Sequence, residues 1–167
     1  MKKVVFLLGA GLVALVAGCS STPVALGPVG PNPKGSQSEA STGGLQVFTR
    51  MAVRQDDQNQ AGDGEPVWHQ YTEYNIYNPD GILLKRVVNS AGHYGERADL
   101  VTLPAGRYLV KAQAKDYFWV NVPVTIERGR TTRVHLDENW KPPADAPKGE
   151  IITGPDGKPA GWRAPSQ

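Results

Sequence analysis

The side chains with the widest chemical range fall in two polar loops and a few scattered positions. The stretch NSAGHYGERADL holds Ser90, His93, Glu96 and Asp99: a hydroxyl, an imidazole and two carboxylates, the parts from which a hydrolase is assembled. A catalytic triad is defined by geometry and roles rather than by adjacency, so hydrolase activity at the His93 loop ranks third among the functional readings. In QDDQNQAGDGE, Asp56, Asp57 and Asp63 offer carboxylates to a calcium ion. They lack the alternating spacing of a calcium loop and are read as a solvated loop. His69, His93 and His135 are too scattered for a metal signature. No catalytic residue, metal or cofactor is assigned, and the chain is read as a non-enzyme.

The aromatic residues suggest binding instead. Tyr117, Phe118 and Trp119 are consecutive, and a strand sends successive side chains to opposite faces, so one face cannot bury all three. Flat aromatic rings stack on sugars or anchor a protein partner. Trp140 and Trp162 sit in a polar stretch with nothing local to pack on, so they either fold back onto the domain or meet a partner. Tyr117, Phe118, Trp119 and Trp140 are the candidate binding residues.

The single cysteine, Cys19, follows Met1-Lys2-Lys3 and an unbroken run of small or apolar residues from Val4 to Gly18. A charged start, a short hydrophobic middle and a small-residue end are the parts of a secretory signal. Fifteen residues fall short of the roughly 20 that a membrane-spanning helix needs. Val16-Ala17-Gly18-Cys19 resembles the bacterial lipobox. The resemblance implies a signal peptide over 1–18, removed before Cys19, and acylation of that cysteine as a membrane anchor. It also implies residence in the cell envelope, at the outer membrane if two membranes are present, since Ser20 rather than aspartate follows. Two or three acyl chains anchor stably where one does not.

These features need a scaffold, and the composition bounds it. The 167 residues are 40% hydrophobic and 20% charged, with 19 glycines and 14 prolines, which points to one domain rich in turns and short strands. The formal charge of +2 vanishes once Lys2 and Lys3 are removed, since 18 basic residues less 2 equal the 16 acidic ones. No nucleic-acid partner is expected. Residues 20–44 contain four prolines, five glycines and no aromatic residue, and are read with Cys19 as a lipidated flexible tether over 19–44.

From Leu45 the hydrophobic period becomes two. Leu45, Val47, Thr49, Met51 and Val53 fall on one side of a pleat, with Gln46, Arg50 and Arg54 on the other. Asn78-Pro79-Asp80-Gly81 is the sharpest turn signal: proline presets φ and glycine accepts the positive φ of a bulged hairpin. Further strands are read over 99–103, 107–115, 120–127 and 132–136, with Pro123 placing its strand at an edge. Seven strands and no helical stripe argue for an all-β, antiparallel sandwich over 45–137. The tail 138–167 is read as extended or disordered, with short strand pairing as the alternative.

The stretch TLPAGRYLVKAQAKDYFWVNVPVTIERGRTTRVHL, with Leu103, Pro104, Ala105, Gly106 and Tyr108 at its head, resembles the second half of bacterial carboxypeptidase regulatory-like and PEGA-type domains. That resemblance implies an immunoglobulin-like or prealbumin-like sandwich with no shared catalytic site. The functional expectation is a non-enzymatic envelope lipoprotein carrying a structural or protein-binding module. Carbohydrate or peptidoglycan binding through the aromatic bend is the alternative.

Overall fold

A computed structural model describes residues 23–35, 41–54, 68–90, 97–115, 119–147, 149–154 and 156–165. Every regular element among them is a strand. The first six are β1 (Val24–Ala25), β2 (Val29–Gly30), β3 (Thr42–Phe48), β4 (Met51–Arg54), β5 (Trp68–Tyr71) and β6 (Tyr74–Tyr77). There follow β7 (Leu83–Val87), β8 (Leu100–Pro104), β9 (Gly106–Ala112), β10 (Val120–Ile126), β11 (Thr131–His135), β12 (Ile151–Thr153) and β13 (Pro159–Arg163). The protein is an all-β, sandwich-like fold.

The large sheet runs β12-β13-β2-β10-β9-β6-β7, with β1 also on β10; the small sheet runs β11-β3-β8, and β4 and β5 form a separate ribbon. Period-two patterning dictates which side chains meet between the sheets. Val120, Val122, Val124 and Ile126 of β10 are buried while Asn121, Pro123 and Thr125 are not. They join Val29, Tyr74, Ile76 and Val110 of the large sheet and Leu45, Val47, Val101 and Val134 of the small one in a single apolar cluster.

The Asn78–Gly81 turn forms as its residues require. Gly81 has φ of 80°, its N–H donates to the Asn78 carbonyl at 3.0 Å, and the β6–β7 register slips between Ile76 and Tyr77, the bulge expected there. The Pro104-Ala105-Gly106 turn carries the chain from β8 in the small sheet to β9 in the large one. Tyr108 fastens it, its hydroxyl donating to the Pro104 carbonyl at 2.9 Å, the bond of a tyrosine corner.

Four expectations are corrected. First, the tether is not free over its length: β1 and β2 pair in parallel with β10, Val24 opposite Val120 and Val29 opposite Val124, and Thr42–Gly44 begins β3. The average composition of 20–44 hid the local run Val24-Ala25-Leu26, which buries Leu26 against the core. Second, the tail docks as β12 and β13, with Ile152, Ala160 and Trp162 buried. Gly161 permits this approach, since a Cβ there would lie 2.6 Å from Val29 Cγ1 and 2.9 Å from the Arg133 carbonyl oxygen.

Third, Pro123 is not at an edge, because β10 is flanked by β9 and by β1 and β2. Asn121 accepts from Leu26 N–H on the β1 side, and backbone groups alternate along a strand, so the missing donor of Pro123 also faces that side. It falls where the chain steps from β1 to β2. Fourth, where seven strands were expected, thirteen short strands form among the described residues, eleven of them in the two larger sheets, and the pairing is not wholly antiparallel, since β1 and β2 on β10 and β11 on β3 are parallel. The Arg128–Arg130 turn therefore does not close a hairpin; it arches from one sheet to the other.

Two stability measurements test this packing. Ile152→Ala is expected to cost about 2–4 kcal/mol in urea unfolding through the cavity it leaves, whereas an undocked tail would give no change. Tyr108→Phe is expected to cost about 1 kcal/mol through its lost hydrogen bond.

Candidate binding surfaces

β11 sends Thr132 and Val134 inward and leaves Thr131, Arg133 and His135 on the outer face of the small sheet. Its parallel register places His135 beside Phe48 of β3, and the two rings stack at 4.4 Å with 7° between planes. Beyond β11, Leu136 N–H donates to the Phe48 carbonyl at 2.7 Å and Lys115 N–H donates to the Leu136 carbonyl at 3.0 Å. Glu138 then adopts φ of 63°, a left-handed conformation uncommon for a residue with a Cβ. Lys115 and Lys158 hold its carboxylate at 3.0 and 3.5 Å. After this reversal Trp140 lies on the other side of His135, 4.9 Å away at 10°.

The column continues at both ends. Trp162 of β13 meets Trp140 edge-on at 6.2 Å, and Tyr71 of β5 meets Phe48 edge-on at 5.7 Å. Both separations are within the range of favourable ring contacts. Asp137 is buried beneath the column. It accepts from the Tyr71 hydroxyl at 3.3 Å and the Asn139 amide at 3.1 Å, and its Oδ1 lies 3.8 Å from His135 Nδ1. Burial pushes its carboxyl up, but the His135 imidazole, the Asn139 amide and its own backbone N–H together outweigh that and hold it below the usual aspartate range.

Along this outer face runs a groove. A pocket of about 180 Å3 is lined by Asn32, Thr131, Arg133, His135, Trp140 and Lys141, with Pro143 and Trp162. A second of about 200 Å3 shares Asn32, Thr131 and Arg133 and extends to Arg130. Among the described residues no carboxylate lines either one. Arg130 is paired with Glu127 at 2.6 Å. Arg133 donates from Nε to the neutral Gln46 side chain at 3.2 Å.

A second surface is the opposite flank. β11 packs against β13 and β2, so β8 lies on the side of β7, and each is the outer strand of its sheet. Ile82, Leu83, Leu84 and Val88, in and beside β7, are 61%, 51%, 50% and 62% exposed, and Leu100 of β8 is 59% exposed.

Of the candidate binding residues, Trp140 lies in the groove. Trp119 is half-buried with the Lys111 ammonium 5.7 Å from its ring centre. Cys19, Tyr117 and Phe118 lie outside the described residues, as do His93, Glu96 and the aspartates 56, 57 and 63. In the described part of the His93 loop, the Ser90 hydroxyl donates to Asp99 at 3.1 Å, while Asp99 N–H donates to Asn89 Oδ1 at 3.0 Å. Asn89 is buried and also donates to the Thr72 carbonyl at 3.0 Å, so these groups close a loop. Among the described residues no group of three or more His, Cys, Asp and Glu is placed to hold a metal, and no helix is long and apolar enough to cross a membrane.

Sequence reasoning missed Phe48, Arg133, Lys141 and Asp137. Only the outward alternation of Arg133 and His135 hinted at a surface there. The described residues thus define an all-β, sandwich-like domain with an aromatic, basic groove on one flank and an apolar outer strand on the other. No protein-family model, no curated protein and no solved structure matches the chain.

The Asp137 environment has a pH signature. A carboxyl depressed in the folded state contributes stability above its ordinary pKa, about 3.9, and loses it as the pH falls through the folded value. Asp137→Asn is expected to flatten the decline of unfolding free energy below about pH 4, read by urea titration at a series of pH values; an unchanged slope would contradict this assignment.

Proposed function

We propose that the chain is a non-enzymatic lipoprotein of a bacterial cell envelope, anchored through acylated Cys19, whose sandwich docks a protein partner along the β7 edge. The observation that carries the docking reading is the exposure of Ile82, Leu83, Leu84 and Val88 on an outer strand. Open edges offer unpaired backbone groups, and proteins ordinarily blunt them with charge, proline or cover. β7 carries Lys85 and Arg86, but Arg86 is engaged by Glu73, and Leu83 and Leu84 stay exposed beside them. An extended segment of a partner that adds a strand here gains main-chain hydrogen bonds and apolar contacts together. The anchor rests on Val16-Ala17-Gly18-Cys19 and the leader before it. The likeness of residues 102–136 to carboxypeptidase regulatory-like and PEGA-type domains, which share no catalytic site, supports a binding or structural role.

The position of β1 alters what the anchor implies. Only Ser20, Ser21, Thr22 and Pro23 separate Cys19 from Val24, a link of at most about 17 Å when extended. An acylated Cys19 therefore holds the sandwich against the lipid headgroups.

Cys19→Ala is expected to abolish incorporation of labelled fatty acid and release the protein from membranes; a variant that keeps label and membrane association would refute the anchor. A photo-crosslinker at Leu84 is expected to trap a discrete partner in intact envelopes, with the adduct lost on Leu83→Lys. An adduct indifferent to that charge would count against the edge.

A further inference from the structure

We infer that the Trp140 groove is a binding site for an acidic saccharide, one whose sugar ring carries a carboxylate. The inference is independent of both the Cys19 anchor and the β7 edge. Three features of the groove carry it.

The first is a ring surface of fixed orientation. His135 is clamped between Phe48 and Trp140 in near-parallel stacking, and Trp162 meets Trp140 edge-on, so the indole lining the groove is braced on two sides. A side chain held by packing binds with little further loss of rotamer freedom, and flat rings suit the C–H face of a pyranose. The second is the charge. Among the described residues neither pocket has a carboxylate in its lining. Arg130 is neutralised by Glu127, while among the described residues Arg133 has only the neutral Gln46 as a side-chain partner. Lys141 has no carboxylate partner among the described residues, unlike Lys34, Lys115 and Lys158. Two uncompensated cations thus flank the indole, a guanidinium suited to carboxylate recognition and an ammonium. The third is the neutral polar pair Asn32 and Thr131, which join the two pockets and offer donors and acceptors matched to hydroxyls.

An acidic peptide would satisfy the cations but leave the braced indole and the amide–hydroxyl pair without matching groups. A neutral sugar would leave Arg133 and Lys141 unanswered. The saccharide with a carboxylate uses all three features.

The test titrates the protein with a short oligogalacturonate and follows tryptophan fluorescence, with a malto-oligosaccharide of equal length and poly-glutamate as comparisons. Oligogalacturonate is expected to bind about tenfold or more tightly than the neutral sugar, with affinity falling as salt rises. Arg133→Ala and Lys141→Ala, both exposed positions whose loss leaves the core intact, are each expected to weaken binding about three- to tenfold. Trp140→Ala is expected to weaken it about tenfold. Leu83→Lys, on the opposite flank, is expected to leave it unchanged. No binding, equal binding of the neutral sugar, binding of poly-glutamate as tight as that of oligogalacturonate, or indifference to the Arg133 and Lys141 variants would each overturn the inference.

Discussion

The constraint on which the rest of the structure depends is the need to cover the second side of β10. This strand buries Val120, Val122, Val124 and Ile126 and pairs along its whole length with β9 on one side. A strand buried on its faces cannot leave a row of backbone groups without partners, so the other side must also be closed. On that side Pro123 removes one donor from the row. The chain closes it with two fragments, β1 and β2, on either side of that gap. β2 in turn offers its far side to β13, and β13 brings β12. Half of the large sheet therefore exists because residues 24–30 repair the edge of one strand.

The groove inherits this dependence. Trp162 arrives on β13, and Asn32 follows directly from β2. Undocking β2 would remove both, and with them one wall of the groove and the ring that braces Trp140. Stability and binding surface are coupled through a seven-residue segment that composition alone assigns to a spacer.

What was legible in the sequence was local. The alternation in 45–49, 107–114 and 120–126, the Asn78–Gly81 turn and the Ala-Gly-x-Tyr corner each depend on side chains within a few residues, and each formed as expected. What was not legible depends on pairing across long separations. A two-residue strand such as Val24–Ala25 carries no period, and its identity comes from a partner nearly a hundred residues away. The parallel register of β11 on β3 is equally silent in sequence, yet it alone sets His135 on Phe48. The ring column draws Tyr71, Phe48, His135, Trp140 and Trp162 from four strands and the segment after Glu138. Of these only the two tail tryptophans stood out, because a large apolar side chain in a polar stretch needs somewhere to go.

The two surfaces also differ in their place along the molecule. β10 runs from Val120, beside Val24, to Ile126, beyond which the Arg128–Arg130 turn leads into the groove. Six steps of a strand cover about 20 Å, so the Arg130 end of the groove and the point where the chain leaves toward Cys19 lie at opposite ends of the sandwich. β11 then runs back, bringing His135 and Leu136 into a small pocket with Leu26 and Val120, so under the proposed acylation the four-residue link holds the His135 end of the groove nearer the headgroups than the Arg130 end. That arrangement matters for a cationic site. Anionic headgroups attract basic residues only within about a Debye length, roughly 8 Å at physiological salt, so the Arg130 end, about 20 Å along β10, is the part of the groove that an anchoring membrane leaves free.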